Sequence, residues 1–348
     1  MIPSPPQNNQ PAGLRAPAWQ HELRQAFNRP HELLDYLRLD PATPHLAPAL
    51  LRGFPLRVPR GYAARMKKGD AHDPLLLQVW PQPCETDETP GYAIDAVGDL
   101  HRVRSDGLIH KYHGRVLLVA TGACAVHCRY CFRRHFPYAE QLAARDHWSG
   151  ALAEIAGDAS IEEVILSGGD PLSLSDDKLA ELVDALGAIP HLKRLRIHTR
   201  QLVVLPERVD ERLLAWLDRT RLQPVFVLHV NHARELDESV RAALQPLRER
   251  GIALLNQAVL LAGVNNDADT LTALSGRLFE CGVLPYYLHL LDRVQGAAHF
   301  DVAEEHAQRL MRMLSSRLPG YLLPKLVREI AGAPSKTWLA WERSATQP

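Results

Sequence analysis

Along residues 116–120, 163–166, 195–198, 225–230, 253–260 and 286–291 the chain runs through short, apolar, β-rich stretches. Such runs suit strands buried in a sheet. Between them, at 177–186, 210–217, 240–250 and 268–281, apolar residues recur every three or four positions, the period of an amphipathic helix. Alternation of this kind predicts parallel strands joined by right-handed helical crossovers. Six units suit an α/β fold of the partial (βα)6, TIM-like type better than a closed eightfold barrel. Reactive groups should then gather at the C-terminal ends of the strands.

Before residue 110 the rhythm differs. Residues 1–18, with Pro3, Pro5, Pro6 and Pro11 and little to bury, read as a disordered tail. Residues 19–109 read as a mainly helical N-terminal lobe with short helices near 21–28, 31–37 and 62–68. The barrel is expected over 110–318, followed by a C-terminal segment, 319–348. Forty Lys plus Arg balance forty Asp plus Glu, so no global field draws in nucleic acid or an anionic membrane. The start lacks the basic and apolar regions of a secretory signal, and no apolar run is long enough to span a bilayer. A cytoplasmic protein with a small-molecule partner is expected, and a homo-oligomer.

Cysteine placement sharpens this picture. Cys84 and Cys281 stand alone, while Cys124, Cys128 and Cys131 form Cys-x3-Cys-x2-Cys directly after the first predicted barrel strand. An odd count without an export signal argues against a disulfide framework. Three soft thiolates suit three irons of a [4Fe–4S] cluster and leave the fourth iron open. A structural zinc would want four protein ligands, and the loop is too tight for His127 to complete a comfortable tetrahedron.

This spacing, with Tyr130 before the last cysteine, resembles the radical S-adenosylmethionine (SAM) superfamily. Leu166-Ser167-Gly168-Gly169-Asp170-Pro171-Leu172 resembles the superfamily's glycine-rich segment, which receives the SAM amino group. The likeness narrows to the lysine 2,3-aminomutase family over nearly all of residues 20–340. It is carried by segments 110–116, 131–136, 198–200, 229–232, 256–261, 286–288 and 331–336.

The resemblance implies a radical SAM-type barrel and three cofactors: a [4Fe–4S] cluster, SAM and pyridoxal 5′-phosphate (PLP). Lys336 occupies the place of the lysine that forms the Schiff base with PLP. Outside the resemblance it would read as a surface lysine after a loop. Tyr112 and Arg115 match holders of the PLP phosphate, and Lys111 stands where clostridial members have arginine, keeping the charge but losing the fork. Arg133 matches the arginine that pairs with the substrate carboxylate, and His229 and Gln257 match residues near SAM. Asp292 and Glu329 match two aspartates that bind the distal ammonium of lysine.

Acid at both places suits a cationic substrate. The resemblance therefore implies conversion of L-lysine to (R)-β-lysine. The chain ends soon after Lys336, without the zinc-binding cysteines of clostridial members, so no zinc is expected. The short form looks like the bacterial branch that supplies β-lysine for elongation factor P, where a separate ligase attaches it. Two other readings stay open: an aminomutase for another amino acid such as glutamate or arginine, and a non-catalytic metal-dependent binding module.

Overall fold

The computed structural model describes residues 17–46, 54–105, 107–140 and 148–341. The expected tail, apart from its last two residues, lies outside them. A single ten-stranded sheet runs in chain order: β1 Val103–Ser105, β2 Leu108–Tyr112, β3 Arg115–Thr121, β4 Glu163–Gly168, β5 Arg194–Thr199, β6 Gln223–Leu228, β7 Ala253–Val259, β8 Leu284–His289, β9 Lys325–Arg328 and β10 Thr337–Trp338. Strands β3 to β9 are parallel, whereas β1, β2 and β10 join antiparallel at the two ends.

All six predicted parallel strands are present, and a helix follows each. The N-terminal lobe carries α1 Ala18–Arg24, α2 Pro30–Leu37, α3 Arg60–Ala63 and α4 Pro74–Leu77. The crossovers contain α5 Ser149–Gly157, α6 Asp176–Gly187, the short α7 Gln201–Val204, α8 Glu211–Arg219, α9 Glu238–Glu249, α10 Ala268–Glu280 and α11 Glu304–Ser315. Three crossover helices begin on aspartate: Asp210, Asp237 and Asp267 accept from the amides of Leu213, Val240 and Thr270. Those bonds satisfy N–H groups that a helix start leaves free.

Alternation along each strand sorts its side chains. Leu118, Leu166, Ile197 and Leu288 enter the main core with Leu182, Trp216, Leu244, Leu274 and Leu310 of the helices. Their neighbours Leu117, Ile165, Ser167, Arg196, His198, Tyr287 and His289 line a central cavity of ≈ 360 Å³.

Two expected boundaries need correction. The sheet begins at Val103, so a division at 109/110 cuts through β2. It also continues past 318, because β9 and β10 belong to it. β10 is two residues long and β9 is four, with Lys325 and Arg328 as its end residues, too short to show a period. Within the lobe, α1 begins three residues before the expected helix, and α3 is a single turn.

The lobe has its own core, with Trp19, Phe27, Leu33, Leu37, Tyr62 and Trp80 at its centre. Ala125 and Val126 of the cysteine loop pack into it. The lobe is therefore a seat for that loop.

Candidate active site

The cysteine loop leaves the C-terminal end of β3, and the lobe fixes its backbone. The His127 amide donates to the Arg57 carbonyl at 3.1 Å, and the Arg129 amide to that of Gln78 at 2.9 Å. The His127 ring lies against the Pro55 carbonyl at 2.8 Å and stacks on Phe54, facing the lobe. It is not part of a ligand set with the cysteines.

All five cysteines are unpaired as disulfides. Burial, with the Asp170 carboxylate and the neighbouring cysteines adding to it, raises Cys124 well above the ordinary thiol range, and burial beside Cys128 raises Cys131 to about 11. Among the described residues, no three His, Cys, Asp or Glu side chains close around a single metal ion. A cubane takes one thiolate per iron, so its three ligands need not close around one ion.

The glycine-rich segment meets the loop from β4. The Gly169 amide donates to the Thr121 carbonyl at 2.7 Å and the Asp170 amide to that of Ala123 at 2.8 Å. A Cβ on Gly169 would stand 2.4 Å from the Ala123 oxygen, and Gly168 has φ +113°. In this structure the glycines permit close approach to the cysteine loop itself. The Asp170 carboxylate accepts from Thr199 Oγ1 and from the amides of Leu172, Arg200 and Gln201. It joins the ends of β4 and β5 and is saturated by these donors, so its side chain does not serve as an open cofactor contact.

Ten of the candidate residues line the one cavity: Lys111, Tyr112, Arg115, Arg133, Ser167, His229, Gln257, Asp292, Glu329 and Lys336. His229, Asp292 and Glu329 sit just beyond β6, β8 and β9, where a barrel concentrates its chemistry. Gln257 lies within β7.

Lys336 is placed by a hairpin. Thr337 of β10 pairs with Arg328 of β9. The turn through Gly332, at φ +84°, carries Lys336 back opposite Glu329. Its Nζ donates to Glu329 Oε2 at 2.8 Å. Glu329 also accepts from the Tyr112 hydroxyl, which links the two ends of the curved sheet. Burial alone would raise the Glu329 carboxyl, but Lys336, Tyr112 and Lys111 together hold it below the usual range. Asp292 is different: burial pushes it up to about 7, Lys336 only partly opposing this.

Lys111 departs from the role expected of it. Its ammonium donates to the Val97 carbonyl at 2.7 Å, contacts Asp99 at 2.6 Å and lies 3.6 Å from Glu329. Val97 and Asp99 take two of the ammonium's three donors, and Glu329 adds charge at longer range. Arg115, stacked over the Tyr112 ring at 4.8 Å, remains the cation beside the tyrosine.

Asp99 went unnoticed in the sequence. It accepts from Arg133 Nε at 2.8 Å while it holds Lys111, and these two cations outweigh burial to keep its carboxyl low. Arg133 also donates to Ser167 Oγ at 2.9 Å. Nothing in the spacing around Asp99 signals this. His198 and His289 were also missed, although strand ends and period-two alternation mark them as inward-facing.

Burial holds the His198 and His289 imidazoles well below their usual range and His229 at about 4, so all three are neutral. Nε2 of each, together with Asp292 Oδ1, is buried without a hydrogen-bond partner. Buried polar atoms left unpaired in a cavity wall call for a polar ligand. The cavity thus fits polar cofactors and an amino-acid substrate on its own chemistry.

An incomplete barrel with a three-cysteine loop at its mouth, opening onto a lysine set among carboxylates, defines a radical SAM enzyme. Residues 113–199 match the family model described as a 4Fe-4S single cluster domain. The chain is 49% identical over 320 residues to the L-lysine 2,3-aminomutase of Escherichia coli (strain K12), covering 92% of this chain and 93% of that one. It is 46% identical to the enzyme of the same name from Haemophilus influenzae, over 92% and 95% of the two chains. A solved radical SAM methyltransferase from Sphaerobacter thermophilus is similar over 64% of this chain and 68% of its own, at 19% identity and a TM-score of 0.47. The chain belongs to the L-lysine 2,3-aminomutase family, whose cofactors are a [4Fe–4S] cluster, SAM and PLP. No helix among the described residues is long and apolar enough to cross a membrane.

Proposed function

We propose that this enzyme converts L-lysine to (R)-β-lysine, and that the product serves modification of elongation factor P in the cytoplasm. The observation that carries the substrate reading is the pair of carboxylates, Asp292 and Glu329, at the Lys336 end of the cavity, with Arg133 and Ser167 on another part of its wall. Arg133 takes the substrate carboxylate, and the two acids take the distal ammonium. A glutamate substrate would bring its second carboxylate against these acids and be repelled.

Cys124, Cys128 and Cys131 hold the cluster, and Lys336 anchors PLP, with Arg115 and Tyr112 toward its phosphate. The segment from Ser167 to Gly169, with His229 and Gln257, borders the SAM side. When bound, these groups supply a hydrogen-abstracting radical and a carrier for the migrating nitrogen. The protein's part is to exclude water, fix the substrate at both ends and keep the three histidines neutral. Lys336 Nζ, which donates to Glu329 Oε2 at 2.8 Å, would be the atom that holds PLP, and Glu329 beside it would face both that nitrogen and the substrate ammonium.

Anaerobic incubation of reduced, reconstituted enzyme with SAM, PLP and L-lysine should yield (R)-β-lysine, while L-glutamate should give no β-amino product. Lys336→Ala should abolish turnover and the PLP absorbance, and a surface lysine variant such as Lys193→Ala should keep both. β-Amino product from glutamate and none from lysine would overturn the substrate reading.

A further inference from the structure

Arg200, at the junction of β5 and α7, is buried and its fork reaches the cysteine loop. Nη1 donates to Cys128 Sγ at 2.8 Å and to the Tyr130 hydroxyl at 2.7 Å. Nη2 donates to Tyr62 Oη at 3.0 Å, Gln78 Oε1 at 2.7 Å and Glu235 Oε2 at 2.9 Å. Its backbone is pinned as well, since the Arg200 amide donates to Asp170 Oδ2 at 2.8 Å. One guanidinium therefore joins the barrel, the lobe and a cluster-binding sulfur.

We infer that Arg200 is a positioning residue that raises the reduction potential of the cluster through an N–H···S hydrogen bond to Cys128, and that Glu235 tempers the effect. This rests on the assignment of the cluster to Cys124, Cys128 and Cys131.

The physical argument concerns charge. Adding an electron to the cluster adds negative charge beside the cysteine sulfurs. A buried cation that donates to one of those sulfurs stabilises the reduced form more than the oxidised one. Arg200 is 4% exposed, so water screens it little. Among the described residues, the carboxylate that its guanidinium contacts is Glu235, 0% exposed and itself receiving the amides of Asn231 and His232 and the Gln78 amide group. Those donors hold Glu235 in place while it offsets part of the Arg200 charge. Neutralising either residue should move the potential, and in opposite directions. A purely structural role would lower cluster occupancy without producing that pair of signs.

The test is an anaerobic dithionite titration of full-length enzyme with mediators, without SAM, the EPR signal of the reduced cluster being normalised to iron content. Arg200→Gln should lower the reduced-to-oxidised ratio at a fixed potential about tenfold, a shift of about 59 mV for one electron. Glu235→Gln should raise the ratio, and Arg200→Lys, which keeps the charge but loses the fork, should fall between wild type and Arg200→Gln. If Arg200→Gln does not retain a cluster, the order of Glu235→Gln, wild type and Arg200→Lys decides the matter. Potentials unchanged across iron-replete variants would overturn the inference. A wild-type protein that binds no iron would overturn the cluster assignment instead.

Discussion

Asp292 and Glu329 share a cavity yet hold their protons differently. Glu329 has Lys336, Tyr112 and Lys111 around it and stays ionised, whereas buried Asp292, with an unpaired oxygen, titrates near neutrality at about 7. An arriving ammonium binds the carboxylate form of Asp292 and favours its ionisation. In the free enzyme, a fall in pH below about 7 adds a proton to Asp292 and removes that attraction. KM for L-lysine should therefore rise on acidification, by up to about tenfold per pH unit, and level off on the alkaline side. Asp292→Asn should show a high KM with little pH dependence through this range. Steady-state assays across it provide the check, and a wild-type KM flat from about pH 6 to 8 would contradict the assignment. The same residue scale explains Lys111. An arginine there could present a fork to a phosphate, whereas this lysine turns two donors to Asp99 and Val97 and its charge to Glu329.

The crossover units were legible because their signals are local. Apolar runs marked β3 to β8, and helical periodicity marked α6, α8, α9 and α10 to within two residues at each end. The α5 segment, Ser-Gly-Ala-Leu-Ala-Glu-Ile-Ala-Gly, shows little contrast between its faces and left no such mark. β9 and β10 depend on pairing with strands already formed, so neither could be read from its own few residues. The cysteine spacing and the segment around Lys336 stand out in the sequence as motifs, but Asp99 and Arg200 acquire their contacts only when distant segments meet.

The glycine-rich segment shows the same limit: its composition was plain, but its neighbour was not. Because a Cβ at residue 169 would collide with the backbone of Ala123, Gly169→Ala should displace the cysteine loop. Iron per chain after reconstitution should fall by more than half, as measured colorimetrically. Gly187→Ala, at the end of α6 with open space around it, should retain iron as wild type does. Equal iron in both variants would mean that the segment does not brace the loop.

At the scale of the molecule, the lobe and barrel are tied together through charges with little access to water. Glu85, in the 3-10 turn Pro83–Thr86, accepts from Arg129 at 2.5 and 2.9 Å and from Arg134 at 2.6 Å. Arg129 belongs to the cysteine loop, and Arg134 continues to the Gly296 carbonyl beyond β8 at 2.9 Å. One lobe carboxylate thus holds two cations that border the cluster loop and the far wall of the barrel. Replacing a buried ion pair whole can be nearly neutral, but removing one partner strands the other. Glu85→Ala should strand two guanidiniums and lower stability by about 3–5 kcal/mol, read as a fall in the urea midpoint of the cofactor-free protein. It should also weaken iron retention, because Arg129 lies between Cys128 and Cys131, two of the proposed cluster ligands. Asp218→Ala, which breaks the exposed pair with Arg250, should leave both measurements unchanged. Glu85→Gln separates charge from shape: it keeps an acceptor oxygen but removes the counter-charge, and should fall between Glu85→Ala and wild type. If Glu85→Ala unfolds at the wild-type midpoint and keeps its iron, the backbone hydrogen bonds to Arg57 and Gln78 and the packing of Ala125 and Val126 suffice to hold the loop, and the Glu85 charge is dispensable for seating it.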